Sequence, residues 1–136
     1  MSRILAIDYR MKRCGIAVTD PLQIIASPLE TVSTSEILEY LKKYFSDKEV
    51  EILVIGMPFQ SDKSESVIAP KIRSFIRVLK NNFPSLAIYE VDESYTSKMA
   101  MDTLIRGGMK KKDRRKKGNI DKVSAAIILQ SFMAQR

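Results

Sequence analysis

Two apolar runs, residues 3–8 and 14–19, are separated by only the five residues "YRMKR". That spacer is too short to carry a crossover, so the two runs can pair only as an antiparallel hairpin. A purely parallel, doubly wound sheet therefore fits less well. Within the first run, Ile4, Ala6 and Asp8 alternate with Leu5 and Ile7. Both sides are largely apolar, which predicts a central strand covered on both faces. Asp8 ends this run where packing alone would place another aliphatic residue.

The rest of the chain alternates strands with helices. A third strand is expected around residues 23–32, with Pro28 restricting it to an edge or an irregular end. Ser33 or Thr34 can cap a helix running to about Tyr44, with Ile37, Leu38, Leu41 and Phe45 at helical spacing. The run "VEILVIGM", residues 50–57, reads as a buried strand closed by Pro58. A helix over about residues 65–81 carries Ile68, Ile72, Phe75, Ile76 and Leu79 on one stripe, and "LAIYEV", residues 86–91, reads as the fifth strand. Thr96 or Ser97 opens a further helix ending at Gly107-Gly108. A basic loop and a last helix, capped by Asn119 and bearing Ile120, Val123, Ile127 and Phe132, complete the order. Early hairpins followed by crossovers imply an α/β fold with a mixed five-stranded sheet flanked by helices. With 136 residues, 45% of them apolar, no repeat and no long linker, one domain over residues 1–136 is expected.

Charge is concentrated. The protein is formally +7, and "KKKDRRKK", residues 110–117, holds seven basic groups and one acidic one, a local +6 that leaves +1 for the other 128 residues. A neutral body with one electropositive segment points to nucleic acid, because clustered Lys and Arg displace counterions condensed on the phosphate chain. The segment is bracketed by Gly107, Gly108 and Gly118, and is expected to become ordered on substrate.

The opening residues lack a signal-peptide pattern, and no apolar stretch reaches the length of a membrane span. A soluble cytoplasmic protein with no membrane partner is the expectation. The single Cys14 has no partner for an internal disulfide and reads as a packed, reduced thiol.

Acid falls in three places where packing would not put it: Asp8, the group Glu90, Asp92 and Glu93 at the end of the fifth strand, and Asp121 at the start of the last helix. Strand ends in an α/β sheet form the usual rim for a site. Carboxylates converging there repel one another and lose hydration, a cost on the order of several kcal/mol that a divalent cation offsets. Oxygen ligands without histidine select magnesium or manganese over zinc. Two such ions can activate water and stabilise a leaving oxygen with no general-base histidine. The chain has no histidine at all, which removes His-based triads and Cys-His pairs. Asp121 also has a plain structural reading, since acids near a helix N-terminus are favoured by the dipole. On that helix, however, residues 121, 125, 128 and 132 share a face with Ala, Ile and Phe. Spacing does not choose among the three acids around residue 92.

Four segments in order, "LAIDYRMKRCGIAVTD", "VIGMPFQSDKSES", "VDESYTS" and "KKGNIDKVSAAIILQSF", resemble the YqgF or RuvX-like family over essentially the whole length. That family was first described as Holliday junction resolvases and is now regarded as pre-16S ribosomal RNA nucleases of RNase H-like fold. The resemblance implies that the catalytic and metal-binding acids are Asp8, Glu93 and Asp121, holding two magnesium or manganese ions. It matches a basic turn position with Arg13, next to Lys12, and a family threonine with Thr96, as phosphate contacts or braces of the rim. Lys110, Lys111, Lys112, Arg114, Arg115, Lys116 and Lys117 would hold the nucleic-acid backbone without reading bases. Ala6 and Arg10 stand where the family commonly has glycine, and Ser94 where it commonly has arginine, a loss of a five-donor phosphate fork.

The implied function is metal-dependent endonucleolytic processing of the 5' end of precursor 16S ribosomal RNA, with that RNA or the assembling small ribosomal subunit as partner. The alternatives are a Holliday junction resolvase acting on branched DNA, which would need a symmetric dimer, and a non-catalytic nucleic-acid or ribosome-associated binding protein. Transfer on a small nucleotide fits less well, given the size of the basic segment and the lack of a P-loop.

Overall fold

The computed structural model describes residues 2–57, 67–92 and 117–135, and for residues 92 and 117–121 the backbone alone. The five expected strands are β1 (Arg3–Asp8), β2 (Arg13–Thr19), β3 (Ala26–Ser33), β4 (Val50–Met57) and β5 (Ala87–Asp92), in one sheet of order β3-β2-β1-β4-β5. β1 pairs antiparallel with β2 and β2 with β3, whereas β1–β4 and β4–β5 are parallel. The mixed sheet thus follows from the short "YRMKR" turn on one side of β1 and helical crossovers on the other.

The described helices are α1 (Ile37–Asp47), preceded by a 3-10 turn at Thr34–Glu36, α2 (Ile68–Asn82) and α3 (Lys117–Ala134). α1 and α2 cover one face of the sheet, where Leu5, Ile7, Cys14, Ile16, Leu53 and Ile55 pack with Leu41, Ile72, Phe75 and Leu79. α3 covers the other face, where Ile4, Ala6, Ala17, Val54 and Val91 meet Ala125, Ala126, Ile128 and Leu129. Period-two alternation along β1 therefore feeds two separate cores, and burial on both faces is why its apolar run is nearly continuous.

Several boundaries differ from the sequence reading, each for a local reason. β3 starts at Ala26 because residues 20–25 form a turn held by Asp20, whose carboxylate accepts from the backbone N–H of Leu22, Ile24 and Ile25 at 3.1, 2.8 and 2.7 Å. Gln23 takes a positive φ of 59° inside it. β3 is an edge strand, one of the two placements Pro28 allowed, and its register against β2 shifts between Ile16 and Ala17, where Glu30 and Pro28 are the successive partners. Pro70 sits in the first turn of α2, where a missing N–H costs nothing. α3 begins at Lys117, two residues before the expected Asn119 cap, and the last residue of the basic run is therefore helical. Residues 124–129 are all buried, so this stretch of the helix is enclosed all round rather than along one stripe. The helix expected after Thr96 lies outside the described residues.

Candidate active site

Asp8 closes β1 at the centre of the sheet and is fully buried. In register it faces Gly15 of β2, and its neighbour Ile7 faces Ile55 of β4. Parallel pairing brings the C-terminal ends of β1, β4 and β5 to one rim, with Gly56 opposite Val91 and Met57 opposite Asp92. Alternation directs Asp8 to the side of Ile4 and Ala6, the α3 side, while Tyr9 turns to the opposite core and packs against Phe75 at a tilt, with ring centroids 4.9 Å apart. Burial, together with Cys14 nearby, pushes the Tyr9 phenol above its ordinary pKa.

The Asp8 carboxylate is half satisfied. Oδ2 accepts from Arg10 Nε at 3.0 Å, while Oδ1 is buried with no hydrogen-bond partner among the described residues. Buried carboxylate oxygens are rarely left so, because the uncompensated desolvation is expensive. An orphaned hard oxygen at a strand-end rim fits a magnesium or manganese ion. Ser124 Oγ on α3 is the other buried side-chain oxygen without a partner among the described residues.

The turn carrying Arg10 is pinned from across the fold. Thr34 Oγ1 donates to the Arg10 carbonyl at 2.6 Å, and Thr34 N–H to the Lys12 carbonyl at 3.0 Å. The hydroxyl expected to cap a helix is thus committed to the turn, and Ser33, at the N-cap of the 3-10 turn, makes no side-chain cap bond. Cys14 is buried with its Sγ 3.5 Å from Thr34 Oγ1, the packed thiol its surroundings implied.

Of the other expected site residues, Arg13 begins β2 opposite Ser33 and shares parity with Gly15 and Ala17, which puts it at the Asp8 rim on the α3 side. Lys12 is exposed in the turn. Asp92 ends β5, and Glu93 follows it outside the described residues, as do Thr96, Lys110, Lys111, Lys112, Arg114, Arg115 and Lys116. Lys117 and Asp121 are located by backbone only, on α3. Because α3 starts at Lys117, its first turn holds no acid and Asp121 falls in the second, one turn ahead of the fully buried Ala125. The dipole explanation for Asp121 loses force there, since that effect fades beyond the first turn. Among the described residues no three Asp, Glu, Cys or His side chains converge. The Arg10–Asp8 pair and the role of Thr34 were not anticipated; the basic residue two positions after Asp8 was the available signal.

A mixed five-stranded sheet with a carboxylate ending its central strand and a helix closing that face defines an RNase H-like fold. RuvC of Thermus thermophilus shares it, with TM-score 0.53 at 16% identity over 98% of this chain and 95% of that one. The same protein solved in complex with a Holliday junction substrate gives 0.55 at 19% identity, covering 99% and 96%. A family profile described as "RuvX: Holliday junction resolvase" matches residues 2–135. A relative from Amoebophilus asiaticus, named "Putative pre-16S rRNA nuclease", is 52% identical over 98% of this chain and 95% of its own length. One of the same name from Flavobacterium psychrophilum is 46% identical over 100% and 99%. The chain belongs to the RuvX family of nucleases, hydrolases of phosphodiester bonds.

Proposed function

We propose that this chain is a single-domain, divalent-metal-dependent endonuclease of the cytoplasm that trims the 5' end of precursor 16S ribosomal RNA. The observation carrying the reading is the fully buried Asp8, whose Oδ1 has no partner among the described residues, at the strand-end rim and on the face closed by the helix that bears Asp121. Asp8, Glu93 and Asp121 would together hold two magnesium or manganese ions. Such ions supply Lewis-acid stabilisation of the charge that develops as a phosphodiester is cleaved. The chain's own residues do the rest. The three carboxylates fix the centre, Arg13 and Lys12 at the rim and Thr96 after β5 steady the phosphate backbone, and the seven basic groups of residues 110–117 hold the strand by charge alone. The RNA substrate is supported by the relatives' shared name.

Resolution of a four-way DNA junction is the second reading, favoured by the family description. Both are tested at once by incubating the protein with a precursor 16S fragment and a four-way junction, with and without manganese, beside Asp8→Asn and Asp121→Asn variants. Metal-dependent cleavage of the RNA that both substitutions abolish is the expected result. Preferential cleavage of the junction would transfer the assignment to DNA, and binding without cleavage of either would reduce the protein to a binding module.

A further inference from the structure

Asp8 reaches the rim with a cation already on it. Arg10 Nε lies 3.0 Å from Oδ2, with an Asp8 side chain that is 0% exposed and an Arg10 side chain that is 43% exposed. The contact is built by the turn: Tyr9 alone separates the two residues, and the backbone of residue 10 is held by Thr34 through the Arg10 carbonyl. We infer that Arg10 is the resident counter-ion of Asp8 and sets how tightly this site takes a divalent cation, because the guanidinium must leave Oδ2 for the carboxylate to serve the ion fully.

The inference rests on the metal-dependent reading above, and the charges force it. A guanidinium is charged at every accessible pH, so it cannot yield its place by losing a proton. A divalent ion on the free Oδ1 would sit within a few ångström of that positive charge, in surroundings where screening is weak. The half-exposed Arg10 has solvent to move into and a flexible stem on which to do so, whereas Asp8 is fixed in the sheet. Arg10 thus compensates the buried carboxylate when no ion is bound and competes with the ion when one arrives. A site built in this way is weak for metal until a polyanion draws the guanidinium outward, which couples metal loading to arrival of the nucleic acid.

Manganese affinity, read from the free-ion electron paramagnetic resonance signal, tests this without measuring activity. Wild type, Arg10→Ala, Arg10→Gln and each combined with Asp8→Asn would be titrated in the absence of nucleic acid, after circular dichroism has checked the fold. Arg10→Ala and the similarly sized but neutral Arg10→Gln are expected to bind manganese about ten-fold or more tighter than wild type, as removal of a like charge beside the ion requires. Asp8→Asn should abolish the gain. A 16S fragment should tighten manganese binding to wild type and have little effect on Arg10→Gln. Equal affinity of wild type and both Arg10 variants, with binding still dependent on Asp8, would overturn the inference and leave the metal site standing. Binding that Asp8→Asn does not change in any background would remove both.

Discussion

Thr34 Oγ1 donates to the carbonyl of Arg10 across 24 positions of sequence, at 2.6 Å, and so ties the β1–β2 turn to the end of β3. This bond positions the turn that delivers Arg10 to Asp8. Thr34→Val should destabilise the protein by about 1–2 kcal/mol, the cost of a half-buried carbonyl left without its donor, while Thr34→Ser should stay near wild type. Denaturant unfolding of the two variants measures the difference; equal midpoints would show that the turn holds itself.

Asp8 separates function from stability. A carboxylate kept for folding is destabilising to remove, but this one is buried with one oxygen unpartnered among the described residues. Asp8→Asn is therefore expected to lower RNA cleavage by about 100-fold or more, as loss of a metal ligand exceeds what second-sphere changes cost. In metal-free buffer it should leave stability unchanged or raise it by about 1 kcal/mol, a shift of a few degrees in the unfolding midpoint. A fall in midpoint of several degrees would make Asp8 a structural residue instead.

The parts of this fold that were legible in the sequence are those set by short-range geometry. "YRMKR" reads as a hairpin turn, Pro28 points to an edge or an irregular end, and "VEILVIGM" reads as a buried strand, which it is over residues 53–56. What escaped depended on partners far along the chain. The start of β3 moved because Asp20 captures three backbone N–H groups, and the Thr34 hydroxyl went to a carbonyl that no local pattern names. Lys117 and Gly118 carry no helix-start signal, glycine costing about 1 kcal/mol in a helix; burial further along, at Ala125, Ile128 and Leu129, supports the longer α3. At the site, Asp8 stood out by itself as an acid in an apolar run. Its companions did not, because the choice of Glu93 over Glu90 and Asp92 came from family resemblance and not from spacing.

The basic run is expected to act through charge. Replacing Lys110, Lys111, Arg114 and Arg115 with glutamine should weaken binding of single-stranded RNA and lower the slope of log affinity against log salt by about 3, close to 0.7 for each lost phosphate contact. Manganese affinity should not change. Fluorescence anisotropy at several salt concentrations provides the slope, and an unaltered slope would show that RNA is held elsewhere.

Tyr40 on α1 gives the protein an alkaline limit. Its phenol is held well above the ordinary tyrosine range, first by burial and then by its hydrogen bond to Glu30 on β3 and the negative charge of that carboxylate. A group whose folded pKa is raised binds its proton more tightly in the native state, so its contribution is complete below the unfolded value near 10 and is lost as pH rises past it. Tyr44 and Tyr9 are raised by burial as well and act in the same direction. Wild type should therefore lose stability steeply above about pH 10, and Tyr40→Phe, which has no proton to lose, should lose it less steeply over the same range. Urea midpoints measured from pH 8 to 11.5 compare the two slopes, and parallel curves would show that neither burial nor Glu30 holds the Tyr40 phenol above its ordinary range.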